Sequence, residues 1–240
     1  HESLNGRLSS GVAKCLRMQG KCLYYIKRYD EAWNLMNEAL GIAIQIDNRK
    51  QIVACHKQLY YLCKEFKRTM NERGDEQAST LFFRESLLHE MFFSEKPRLA
   101  ELTVRYEALR CDIMRQYYEN KEYGNVIRIA TTLDIHEDID PDVSSEVCYY
   151  EAQAYAKMEN YPMAKDAFFR EFELRKKYLG WEDDHTILAC QNLGVLHSFC
   201  NEREDALACF REAYDHEVKK NGSDSEMAKK LLQYIDVVRS

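Results

Sequence analysis

Apolar and small residues recur at helical spacing along this chain, and the phase resets at regular intervals. Leu59, Leu62, Phe66 and Met70 fall three and four residues apart, an amphipathic stripe of helical period. Three stretches repeat one template: Gly20-x-x-Leu23…Tyr29-x-x-Ala32-x-x-x-Met36-x-x-Ala39, Ala152-x-x-Tyr155…Tyr161-x-x-Ala164-x-x-x-Phe168, and Gly194-x-x-His197…Ala206-x-x-x-Phe210-x-x-Ala213. Two weaker copies lie between them, so five units follow one another about 38 to 48 residues apart. Each unit predicts two helices. The first of each pair spans about 10–26, 51–71, 97–120, 143–159 and 184–200; the second spans about 30–46, 75–93, 123–136, 161–179 and 202–220. A last amphipathic helix, about 224–238, carries Met227, Leu231, Leu232 and Ile235 and caps the open end, as a terminal repeat must.

Local signals agree with these boundaries. Asp30 is placed to cap the second helix, because its carboxylate accepts from open N–H groups of the first turn. Pro97 and Pro162 sit at helix starts, where the missing N–H costs nothing. Arg73-Gly74-Asp75 reads as a turn, and Asn221-Gly222 as a helix stop. The acidic run Glu137–Asp142 breaks the chain between the third and fourth units. It lacks the Gly and final Glu of a calcium loop and reads as a solvated connection.

The expected class is therefore all-α: an α-solenoid of about five helix–turn–helix repeats, 10–48, 49–95, 97–137, 143–180 and 184–222, with a cap helix at 224–239, forming a single domain over 1–240. Composition fits. Nine Gly and three Pro among 240 residues is low, as helices require. A net charge of −6 argues against general nucleic-acid binding, which needs a basic footprint. No run of about 18 apolar residues is present, so no membrane span is expected. The polar start, His1-Glu2-Ser3-Leu4-Asn5, has no signal-peptide core and reads as the start of an excised piece. Nine cysteines, an odd number without a C-x-x-C pair, sit mostly at apolar helical positions; they predict neither a zinc site nor a disulfide scaffold, but a reducing compartment, cytoplasm or nucleus.

Gly20, Tyr29, Ala32 and Ala39 in the first unit, Ala152, Tyr155, Tyr161, Ala164 and Phe168 in the fourth, and Gly194, Ala206, Phe210 and Ala213 in the fifth resemble the tetratricopeptide repeat (TPR) family. Units two and three depart from that pattern, with Phe66 and Met114 where the family has a small residue, and this bulk is expected to splay their helices. Asn192-Leu193-Gly194-Val195-Leu196-His197 followed by Ala206-Leu207-Ala208-Cys209-Phe210 is loosely similar to the longer repeats of kinesin light chain, a repeat type shared by adaptors and bacterial peptide-pheromone receptors.

The resemblance implies where a partner binds. In the family the groove wall is made by first helices, and the matching positions here are Lys14, Arg17, Lys21, Tyr24 and Tyr25, then Lys64 and Lys67, then Arg115 and Tyr118, then Tyr149, Tyr150, Gln153 and Lys157, then Gln191, Asn192, Ser198 and Phe199. The wall is basic in its first half, suited to acidic side chains or a C-terminal carboxylate, and aromatic or amide-rich in its second. Asn192 stands where the family places a peptide-binding Asn, able to donate and accept at a backbone. Tyr150 and Phe199 read as inter-helix packing. The carboxylate clamp of chaperone-binding relatives is broken: Arg17 and Lys21 occupy its first pair, Lys64 replaces its Asn, and Ala108 and Asp112 fill its last pair.

No H-E-x-x-H, glycine-rich phosphate loop or G-x-S-x-G occurs, and His197 falls on a packing position, so neither an enzyme nor a cofactor is expected. The functional expectation is a protein-interaction module or adaptor holding an acidic extended or helical segment of another protein in the concave groove. Two alternatives stand beside it: a regulatory or targeting domain of a larger enzyme, and a self-assembling scaffold.

Overall fold

The structure, a computed structural model, describes residues 9–94, 106–132 and 141–239. Eleven helices lie among the described residues: α1 Ser10–Tyr25, α2 Tyr29–Gln45, α3 Arg49–Glu72, α4 Glu76–Glu90, α5 Tyr106–Glu119, α6 Tyr123–Thr132, α7 Pro141–Lys157, α8 Tyr161–Tyr178, α9 Asp184–Phe199, α10 Arg203–Asn221 and α11 Glu226–Arg239. No strand occurs among these residues. The protein is all-α, built of helix hairpins. The chain divides into two compact units, His1–Gln116 with Thr131–Asp134, and Tyr117–Ala130 with Ile135–Ser240. In the first, α1 pairs with α2 and α3 with α4, and α2 packs on α3. In the second, α7 pairs with α8 and α9 with α10, α8 packs on α9, and α11 covers α10.

Helix starts follow side-chain caps. Ser9 accepts from the N–H of Val12, Asn48 from that of Gln51, Asp75 from that of Ala78 and Asp183 from that of Thr186. Asp30 is not a cap: α2 begins at Tyr29 after Arg28, and Asp30 lies in its first turn, where its charge meets the positive end of the helix dipole. Pro141, expected within a helix-breaking run, opens α7. The expected starts at Pro97 and the run 137–140 lie outside the described residues.

Among the described residues, six helix ends share one turn. At Lys27, Asp47, Gly74, Lys121, Glu159 and Asn201 the chain takes a left-handed conformation, with φ between 49° and 75°. The N–H of each of these residues, and of the next, returns to carbonyls of the last helical turn, as in Lys27 to Tyr24 and Arg28 to Leu23, or Glu159 to Ala156 and Asn160 to Tyr155. This capping turn joins consecutive helices in three residues. Only one of the six positions is glycine, although a side chain there costs about 1–2 kcal/mol. After the entropy that glycine loses on folding, Glu159→Gly should stabilise the protein by roughly 0.5–1 kcal/mol, and Asn201→Gly by less, since Asn tolerates this conformation. Urea unfolding of both variants checks this.

The repeated small positions have a geometric cause. A Cβ on Gly194 would stand 2.8 Å and 2.9 Å from ring atoms of Phe210 and 3.1 Å from the Cβ of Cys209; one on Gly20 would meet the mobile methyl of Met36 at 2.8 Å and the Ala32 carbonyl at 3.3 Å. Gly194→Ala should therefore cost about 1–3 kcal/mol through overpacking, partly offset by about 1 kcal/mol of helix propensity, whereas Gly20→Ala should lie near neutral because Met36 can swing away. Thermal unfolding of the two variants compares them directly.

Each unit has its own core. In the first, Ala32, Met36, Ala39, Leu40, Cys55, Leu59, Leu62 and Phe66 are buried together. Phe66, which the repeat pattern aligns with a small position, is not the small crossing residue of α3: it fills a slot between Trp33 and Phe82, with ring centroids 5.5 Å and 5.0 Å away. In the second, Phe168, Phe172, Leu193, Leu196, Phe210, Leu231 and Ile235 anchor the core. Within it Glu171 and Arg175 form a buried pair at 3.1 Å on α8; burial pushes the Glu171 carboxyl up to about 7, and the guanidinium only partly opposes that shift.

Candidate functional site

The first unit opens a cleft of about 320 Å³ between α1 and α3. Arg17, Lys21, Tyr24 and Tyr25 come from α1, where steps of three and four residues put them on one face. Ala54, Lys57, Gln58, Tyr61 and Leu62 come from α3, and Met36 from α2. The lining thus combines three cations, three phenols and an apolar floor of Met36 and Leu62.

Local contacts hold this arrangement. Arg17 Nε donates to Gln51 Oε1 at 3.2 Å, and Gln51 is itself buried, so the guanidinium is anchored at the mouth. Beneath it, burial pushes the Cys55 thiol up to about 12 with the Arg17 charge opposing, which leaves that thiol neutral and inert. Lys21 Nζ stands 5.8 Å from the centre of the Tyr25 ring. Tyr24 donates to Glu65 Oε1 at 3.5 Å and stacks edge-on with Tyr25 at 5.8 Å; burial, then the Glu65 charge, raises its phenol above the ordinary range. Tyr25 and Tyr61 remain 70% and 44% exposed, much hydrophobic area left in water beside positive charge.

Of the residues expected to bind a partner, Arg17, Lys21 and Tyr25 are brought together here, with Lys14 exposed on the same face of α1. Lys64 and Lys67 do not line the cleft: Lys64 is exposed 5.4 Å from the Tyr60 ring, and Lys67 leans on Phe83 of α4 at 4.5 Å. Arg115 pairs with Asp112 one turn back at 3.3 Å. Lys57, Gln58 and Tyr61 take the place foreseen for Lys64 and Lys67. Counting from the caps comes within one residue of them, since Lys57 and Tyr61 lie one residue further from Asn48 than Arg17 and Lys21 lie from Ser9.

In the second unit, Tyr149 and Gln153 lie on α7 in an aromatic cluster. Tyr118 donates to Gln153 Oε1 at 3.5 Å and its ring lies 5.8 Å from that of Tyr150, while Tyr149 turns inward to Phe168 at 6.4 Å. Burial, then the charge of Glu171, raises the Tyr149 phenol above its ordinary range, as for a packed residue. Asn192 is half-buried on α9 beside the buried Gln191. Ser198 donates to the Gly194 carbonyl of its own helix. Phe199, expected to pack between helices, is instead 74% exposed at the end of α9. His197 pairs with Glu202 across the α9–α10 turn and so is held as a structural residue.

No family model matches the chain, and no curated protein matches it. Among solved structures it is similar to the TPR2AB-domain:pHSP90 complex of yeast Sti1, at 16% identity over 97% of this chain and 100% of that one, with a TM-score of 0.44. A likeness this distant bears on neither partner nor site. Among the described residues, no helix is long and apolar enough to cross a membrane.

Proposed function

We propose that the protein is a non-enzymatic interaction module of the cytoplasm whose α1–α3 cleft holds a short acidic segment of another protein. The observation that carries this reading is the cleft lining itself: Arg17, Lys21 and Lys57 around Tyr24, Tyr25 and Tyr61, over an apolar floor. Carboxylates pair with the cations, and an apolar or aromatic side chain of the ligand covers the floor between the phenols. The field of three clustered cations in a protein of net charge −6 is local, so it selects acidic ligands without making the whole surface sticky. Tyr and Arg are the residue types that anchor interfaces, because they bring large contact area and fixed donors. Lys14 and Lys64 act, in this reading, as outlying charges that attract the ligand, Arg115 being paired with Asp112, and Tyr149, Gln153 and Asn192 form a separate polar and aromatic surface of the second unit. The nine thiols agree with a reducing compartment.

Selection of random displayed peptides on the purified protein tests the reading. The expected consensus has one or two Asp or Glu within three residues of an aromatic or aliphatic side chain. Enrichment of basic peptides, or of none, would contradict it.

A further inference from the structure

On the far side of α3 from the cleft, four side chains with metal-ligand chemistry meet inside the α3–α4 hairpin. Cys63, Glu85 and His89 each offer a donor atom, and these atoms all lie within 4.8 Å of one another. All three residues, and His56 beside them, have no exposed surface. Glu85 and His89 stand four apart on α4, hence on one face, and Cys63 comes from the facing helix. His89 turns Nε2 toward Glu85 Oε1 at 3.5 Å, while its Nδ1 lies 2.9 Å from Nδ1 of His56. The His56 ring is in turn stacked on Phe92, with centroids 3.7 Å apart and planes 14° from parallel.

We propose that Cys63, Glu85 and His89 form a structural site for a divalent transition-metal ion, with zinc the best match to the donor set. Thiolate, imidazole and carboxylate are the three ligand types that zinc takes in tetrahedral geometry, at roughly 2.0–2.3 Å. Such bonds separate neighbouring ligand atoms by about 3.3–3.7 Å. Atoms already within 4.8 Å are within about 1–1.5 Å of that spacing. Zinc takes Nε2 of His89, the proton of that ring then sits on Nδ1, and Nδ1–H donates to Nδ1 of His56. His56 is thus the positioning residue that fixes tautomer and ring plane. The Cys63 thiol loses its proton to solvent as the Zn–S bond forms, and a water completes the four ligands.

Burial gives the reason for a cation there. An ionised carboxylate at zero exposure carries a large desolvation cost, and a divalent ion offsets it, as it does for the thiolate that forms on binding. The site is closed, so the ion enters as the hairpin forms and adds to its stability. It is invisible to spacing rules, because Cys63 and Glu85 are far apart in sequence and only the hairpin brings them together.

The test uses the whole chain, purified without chelator, its metal content read by mass spectrometry, and then unfolded with chelator and refolded with zinc or cobalt(II). The expected result is one zinc per chain, a higher melting temperature with zinc than without, and in the cobalt form a thiolate-to-cobalt charge-transfer band. Cys63→Ser should lose that band, and His56→Gln should keep it while weakening binding about 10–100-fold. Three outcomes would overturn the proposal. One is absence of metal from both native and refolded protein. Another is an unchanged band in Cys63→Ser. The third is cobalt bound with no charge-transfer band, which would place it on oxygen and nitrogen donors such as His197, Glu202 and Asp205. The wild-type arm decides alone if a variant does not fold.

Discussion

Phe210→Ala should cost the protein about 3–5 kcal/mol, the range for deleting a fully buried aromatic ring. Phe210 is 1% exposed, so almost nothing of the ring is in water. It lies so close to Gly194 that the Gly194 backbone is part of its van der Waals shell, and it stacks on Tyr234 at 5.1 Å. One side chain of α10 therefore ties together α9, α10 and α11. The surroundings are closely packed, with Ala206 and Ala213 on either side of Phe210 also without exposed surface, so the hole does not close easily. Against a total stability of about 5–15 kcal/mol the loss is large. It should lower the melting temperature by roughly 6–20 °C, read by circular dichroism. A change below about 5 °C would mean that the ring is not packed as described.

The second large effect concerns binding. Replacing Arg17, Lys21 and Lys57 together by Glu should weaken an acidic peptide, selected on the wild type, by about 100-fold. Each exposed ion pair contributes about 0.2–1 kcal/mol, and reversal converts attraction into repulsion. Three reversals therefore remove about 3 kcal/mol, or two powers of ten in affinity. The fold should survive, since Lys57 is exposed, Lys21 is half-buried, and the change at Arg17 removes one part-buried bond, to Gln51. The loss should shrink as salt rises and screens the remaining attraction. Loss of helical signal in the variant would be a folding defect and is read separately. Unchanged affinity in a folded variant would place the ligand elsewhere.

Much of the fold is legible in residue pattern. The Gly20, Ala32, Met36, Ala39 series and its copies mark close helix crossings, and the Gly194–Phe210 contact shows why the spacing recurs. The six capping turns are only partly legible. Glycine marks Gly74, but Lys27, Lys121 and Glu159 adopt the same left-handed geometry without any residue type that favours it. Half of the cleft is legible too. Arg17, Lys21 and Tyr25 follow from the face of α1, whereas the register of α3 counted from Phe66 points to Lys64 and Lys67. Phe66 misleads because it is not the small crossing residue of that helix; it is the plug between Trp33 and Phe82. The Cys63–Glu85–His89 cluster depends on tertiary pairing of two helices, and pattern alone does not reach it.

Amide chemical-shift mapping of the isotopically labelled protein, titrated with the selected acidic peptide, tests the binding account most directly. The account predicts that shifts concentrate between Arg17 and Tyr25 on α1 and between Ala54 and Leu62 on α3. Shifts confined to Tyr149, Gln153 and Asn192, or spread without focus over both units, would contradict it.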